Sequence, residues 1–186
     1  MSTWGWIVIA IVVALAVAVA IAAYIARQNQ TKRLQERFGS EYDQTVSTRG
    51  EQRSAEKELV ERERKREQLD IVPLTPEARD KYAESWRGVQ TRFVDDPPGA
   101  VDDADRLVTD VLRERGYPID DFDQRAADIS VDHPNVVENY RAAHTIYEQK
   151  QNGGGGTEDL RQAFVHYRAL FEELLETREP AGQEAR

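Results

Sequence analysis

WGWIVIAIVVALAVAVAIAAYI, residues Trp4 to Ile25, contains no charge and no strongly polar side chain apart from the Tyr24 hydroxyl. About 20 consecutive apolar residues cross a bilayer as a helix. In lipid a lone span must satisfy its own backbone hydrogen bonds, and only a helix does that within one segment. Trp4 and Trp6 at one end and Tyr24 at the other lie where amphipathic rings favour the headgroup region. The first expected partner is thus the lipid bilayer, met through Trp4 to Ala26. Only Met1, Ser2 and Thr3 precede the run, whereas Arg27, Lys32, Arg33 and Arg37 follow it. Basic residues near a span stay on the cytoplasmic side. The expected topology is single-pass, with the N-terminus outside and the rest of the chain in the cytoplasm.

A cleaved signal peptide is the rival reading, because Ala18-Val19-Ala20 and Ala20-Ile21-Ala22 are formal A-x-A sites. A signal peptide wants a basic n-region and an apolar core of about 7–15 residues. This chain has no basic residue before the run, and the run is longer than that. Cleavage would export the domain and invert the topology. Ala10, Ala14, Ala18, Ala22 and Ala26 recur every four residues and lay small side chains along one helix face. That pattern lets two membrane helices approach closely, so a homodimer through the span is an expectation. The competing explanation is simply an alanine-rich composition.

The 186 residues leave room for one ordinary domain beyond the span. Cysteine is absent, which removes disulfides, zinc–thiolate sites and cysteine nucleophiles. The net charge of −9 is unevenly placed: Arg27 to Asp70 carries +1 and Ile71 to Arg186 carries −10. An acidic domain argues against nucleic acid, whose phosphates demand a basic surface.

Residues 27–72 form a charged juxtamembrane segment. Leu34, Phe38, Tyr42 and Val46 recur every four residues, with Gly39-Ser40 as an interruption and Ser40 as a restart. Thr48-Arg49-Gly50-Glu51 has the form of a capping box. Behind it runs a stretch dense in helix formers and opposite charges at i,i+4, such as Glu58–Arg62 and Glu61–Lys65. A heptad passes through Ala55, Leu59, Arg62, Arg66 and Leu69, and two of those five seam positions are arginine, which weakens a coiled coil. The segment therefore reads as a solvated helical stalk. If helical throughout it would reach about 65 Å.

Residues 73–178 read as a soluble all-helical domain. Thr75 caps and Pro76 opens a helix whose face is Tyr82, Trp86, Val89 and Phe93. Asp96-Pro97-Pro98-Gly99 ends it. A second helix from about Ala100 to Arg115 carries Val101, Ala104, Leu107, Val108, Val111 and Leu112, and Gly116 stops it. Ile119 to Ile129 is a short helix or turn. Asp132-His133-Pro134 opens a third long helix with Tyr140, His144 and Tyr147 on one side. Gly153 to Gly156 break the chain. Thr157 caps a last helix with Leu160, Phe164, Tyr167, Phe171 and Leu174 inward. With no convincing period-two alternation, the fold class is all-α: an N-terminal transmembrane helix (1–26), a charged helical stalk (27–72), a compact bundle of about four helices (73–178) and a disordered tail (179–186).

No catalytic constellation emerges. The four glycines lack the lysine and hydroxyl of a phosphate loop. His133 and His144 are three helical turns apart, about 16 Å, too far for one metal. His144 and Glu148 at i,i+4 form half a site to which His166 would add a ligand. Asp120, Asp121, Asp123 and Asp128 lie beside Asp132 without the spacing of a calcium loop. Capping and solvation are the blander roles for all of them. No catalytic residue, cofactor or metal is assigned.

The phrases FGSEYD (38–43), FVDDP (93–97), RGYP (115–118), SVDHPNVVENYRAAH (130–144) and TEDLRQAFVHYRALFEELL (157–175) resemble a group of membrane-anchored actinobacterial proteins with no assigned activity. The resemblance implies single-pass architecture and transfers no catalytic residue. The function expected is that of a non-catalytic membrane-anchored interaction or scaffold protein. The alternatives are a ligand- or cation-sensing module and, after cleavage, a secreted helical domain.

Overall fold

In the computed structural model, residues 3–154 and 156–176 are described, and they are helical throughout apart from short turns and connections. The tail assigned to 179–186 lies outside the described residues, as does the side chain of Ala10. The helices are α1 (Thr3–Phe38), α2 (Ser40–Arg49), α3 (Gln52–Glu67), α4 (Pro76–Asp95), α5 (Pro97–Arg115), α6 (Phe122–Asp132), α7 (Val137–Gln151) and α8 (Thr157–Leu175). Within Ile11–Phe38 lies a stretch long and apolar enough to cross a membrane. Ile11, Leu15, Val19 and Tyr24 are exposed along it.

The larger core is the bundle read from the sequence. Tyr82 and Trp86 of α4, Val101, Val108 and Leu112 of α5, Ile129 of α6, Tyr140 of α7 and Tyr167, Phe171 and Leu174 of α8 are buried together. Trp86 stacks between α8 rings, 4.6 Å from Phe171 and 5.2 Å from Phe164 between centroids. The aromatic stripes at 4, 3, 4 spacing are thus core, because a helix puts such positions on one face.

Several boundaries differ from the sequence reading. Asp96-Pro97-Pro98-Gly99 is no loop: Asp96 ends α4 and also caps α5, its carboxylate accepting from the Gly99 N–H at 3.0 Å. Pro97 fits the first turn, where no backbone donor is missed. Thr48 does not cap α3. It lies inside α2 with its hydroxyl bonded to the Gln44 carbonyl, and Gly50 at φ 68° ends α2. Asp132-His133-Pro134 closes α6 and does not open α7, because Pro134 turns the residue before it out of helical geometry. Gly156, not Thr157, occupies the cap position of α8, and Asp159 accepts its N–H at 2.8 Å.

The largest correction concerns residues 27–72. They are helical as far as Glu67, but they are not an extended, solvated stalk. The chain reverses at Gly39 (φ 50°) and again at Gly50. Leu34 and Phe38 of α1, Tyr42 of α2, Leu59 of α3 and Val131 of α6 form a second buried core. Thr31 bonds Glu56 and Arg33 bonds Glu63, so residue numbers rise together on α1 and α3 and the two run parallel. α2 runs back and joins the end of one to the start of the other. The boundary at 72 therefore divides chain segments and not packed bodies.

Gly116 joins the two parts. Its φ of 95° suits glycine, and a Cβ there would lie 2.4 Å from the Asp70 carbonyl oxygen. The Val72 N–H bonds the Arg115 carbonyl beside it. Gly116→Ala is expected to cost about 1–3 kcal/mol, seen as a melting temperature lower by several degrees. An unchanged melting curve would refute this account of the turn.

Candidate functional site

The seam of α3 explains itself once its partners are in place. Ala55 and Leu59 are buried, Leu59 in one core with Leu34 and Phe38 of α1 and Tyr42 of α2. Arg62 and Arg66, the two charges that spoiled the heptad, reach carboxylates across the fold. Arg62 donates to Glu41 at 2.6 Å, to Glu58 at 2.5 Å and to the Ser130 hydroxyl at 3.2 Å. Arg141 of α7 donates to the same Glu41 through both terminal nitrogens, at 2.6 and 2.8 Å. Glu41 is only 1% exposed. A carboxylate so buried is tolerated because two guanidiniums surround it with directed donors.

Further pairs extend this joint. Arg66 and Tyr117 both bond Asp132. Arg33 and Arg37 hold Glu63. Asp128 is fully buried, accepts from Gln124 at 2.8 Å and stands 4.0 Å from Lys65. Burial raises the Asp128 pKa above the usual carboxylate value, and Lys65 works against that shift. Beside Glu41 opens a polar cleft of about 600 Å³ whose walls include Arg49, Arg62, Asp121, Gln124 and Arg141.

The residues singled out in the sequence do not converge on this cleft as a set. His133 sits between Glu173 at 3.0 Å and Arg115 at 3.3 Å. His144 stacks on Phe122 with centroids 3.6 Å apart and pairs with Glu148 at 3.5 Å. His166 bonds Asn139 at 2.8 Å. Among the described residues no three histidine or acidic side chains are grouped to hold a metal. The acidic stretch divides its roles: Asp120 is exposed, Asp121 caps α6, Asp123 is exposed, and Asp128 and Asp132 pair with α3.

Glu41, Arg62 and Arg141 were missed as a set. The signal available was the pair of arginines in an apolar seam: a charge at a buried position demands a buried partner. Glu41 lies 21 residues from Arg62 and 100 from Arg141, so no local pattern names it.

His133 gives the joint a pH response. Burial lowers its pKa below 6.5, with Arg115 adding to the shift and Glu173 opposing it. Between that lowered value and 6.5 the unfolded chain takes up a proton that the folded chain does not. Stability is therefore present above pH 6.5 and lost as pH falls through it. Asp128 acts in the opposite direction from pH 3.8 upward, since its raised pKa favours the folded state when protonated. Denaturant titrations at pH 7.5 and pH 5.5 should show the loss, and His133→Asn should flatten it. An equal slope in wild type and variant would remove His133 as the cause.

Compared with known proteins, the chain matches no family model, no curated protein and no solved structure.

Proposed function

We propose that this chain is a non-catalytic, membrane-anchored interaction protein, in which α1 spans the bilayer and the helical domain docks a protein partner close to the membrane. The observation that carries this reading is the continuity of α1. One helix runs from exposed apolar residues into the buried Leu34 and Phe38. A span joined this way transmits its position directly to the domain, with no flexible linker between. The basic residues after the apolar run support a cytoplasmic domain. Pairing of two copies through Ala14, Ala18, Ala22 and Ala26 belongs to the same reading, and all four are exposed.

The test has two arms. Reporters active on one side of the membrane, fused after Arg186, establish the side: cytoplasmic activity supports the orientation, and extracytoplasmic activity supports cleavage or inversion. Crosslinking in intact membranes followed by capture then seeks the partner. A folded, membrane-bound chain with no reproducible partner would count against the reading.

The cleft beside Glu41 favours a second reading, a module that senses a small polar ligand or cation at the joint. Melting measured against metals and metabolites tests it. No shift with any of them would end it.

A further inference from the structure

The two chain reversals have a positional consequence. Thr31 on α1 lies level with Glu56 on α3, and the two helices run parallel. Both rise about 1.5 Å per residue. Counting back from that pair puts Gln52 level with Arg27 and Arg53 level with Gln28. The wall of one cleft between α1 and α3 agrees, since it includes Arg27, Gln30, Gln52 and Arg53. Arg27 is the first residue after the apolar run. The turn between α2 and α3 thus comes back to the end of the span, although it is far from it in sequence.

Three observations bear on what this turn meets. Arg27 and Arg53 are exposed, and no carboxylate among the described residues pairs with either. Glu56, the nearby carboxylate that would neutralise them, is turned inward and accepts from Thr31, Tyr42 and Gln52 at 2.7, 3.0 and 2.8 Å. The N-terminus of α3 points back toward the span, and its cap residue Glu51 makes no side-chain bond to the first turn. Open amides at a helix start attract anions. Glu51 is the carboxylate that opposes this field, and Lys57 is already paired with Glu61.

We infer that the α2–α3 turn is a second membrane contact, where Arg27 and Arg53 meet the phosphates of anionic lipid headgroups. The inference rests on α1 being a membrane span. It differs from attraction by the residues just after the span alone, because Arg53 arrives through the fold. With two contacts the domain cannot swing about the helix axis, so its partner-facing side would have one orientation to the bilayer.

The chain has no cysteine, so a single Ser54→Cys carries one fluorophore. The full chain is reconstituted in phosphatidylcholine vesicles with or without phosphatidylglycerol. Headgroup-located nitroxide lipid serves as quencher. A label at Ser40→Cys, about 16 Å farther along α1's axis, is the reference. Quenching is expected to be strong at position 54 and weak at 40. It should rise with anionic lipid and fall with salt. Arg27→Gln with Arg53→Gln should lower the preference for anionic vesicles by roughly tenfold or more. Equal quenching at both positions in a chain that floats with vesicles would overturn the second contact. Quenching at 54 that ignores anionic lipid and the arginine changes would overturn headgroup recognition. A chain that does not float overturns the span itself, and with it this site.

Discussion

Glu41→Ala is expected to destabilise the fold by about 3 kcal/mol, among the largest effects of any single change at the joint. The wild-type carboxylate is 1% exposed and receives donors from Arg62 and Arg141. Removing it leaves two guanidiniums facing each other with their shared counter-charge gone. Their side chains are 14% and 26% exposed, so water recovers part of the loss, which places the figure at the low end for a broken buried pair. Arg141→Ala should cost less, because Arg62 still holds Glu41. The order of the two costs, read from denaturant midpoints of the full chain in detergent, is the decisive result. An Arg141→Ala variant as unstable as Glu41→Ala would mean that the carboxylate is not shared in this way.

Phe38→Ala is expected to cost about 3–5 kcal/mol, the range for truncating a buried aromatic. Phe38 is fully buried with Leu34, Tyr42, Leu59 and Val131 in the smaller core. Among the described residues this is the core that holds α1 to the rest by apolar contact, so the loss should be local. Hydrogen exchange should speed up in α2 and α3 while amides of α5 and α8, in the larger core, keep their protection. Uniform loss of protection would show that the two cores fold as one unit. Under the proposed function, the same variant should also blur the orientation of the domain at the membrane while leaving α1's apolar run untouched.

These two experiments probe the part of the fold that the sequence left hidden. The bundle was legible because its signal is local. Tyr82, Trp86 and Phe93 on α4, and Leu160, Phe164 and Phe171 on α8, repeat at helical spacing, and that spacing alone puts them on one face. The helix ends were less legible. Thr48 looked like a cap because it is followed by Glu51, yet Gly50 between them takes a left-handed conformation and ends one helix before the next begins.

The residues of the joint were legible only as anomalies. Arg62 and Arg66 stood out against an apolar seam, and an acidic run stood out from Asp120 to Asp132. Pairing them needed a third dimension, since Arg66 meets Asp132 across 66 residues of chain. The histidines show the converse. His144 and Glu148 do meet, because i,i+4 contact is set by the helix itself. His166 goes instead to Asn139.

By itself, the sequence determined that this protein is all-helical, where its apolar run lies, which faces of α4, α5 and α8 turn inward, and that its net negative charge is concentrated beyond Asp70. Those properties follow from spacing and composition within one or two helical turns. The tertiary structure alone decided that α2 and α3 fold back along α1, that Glu41 is shared by Arg62 and Arg141, and that Arg53 returns to Arg27. Such contacts depend on how two glycine turns aim whole helices, and a small change of direction at Gly39 or Gly50 moves a distant charge by many ångströms.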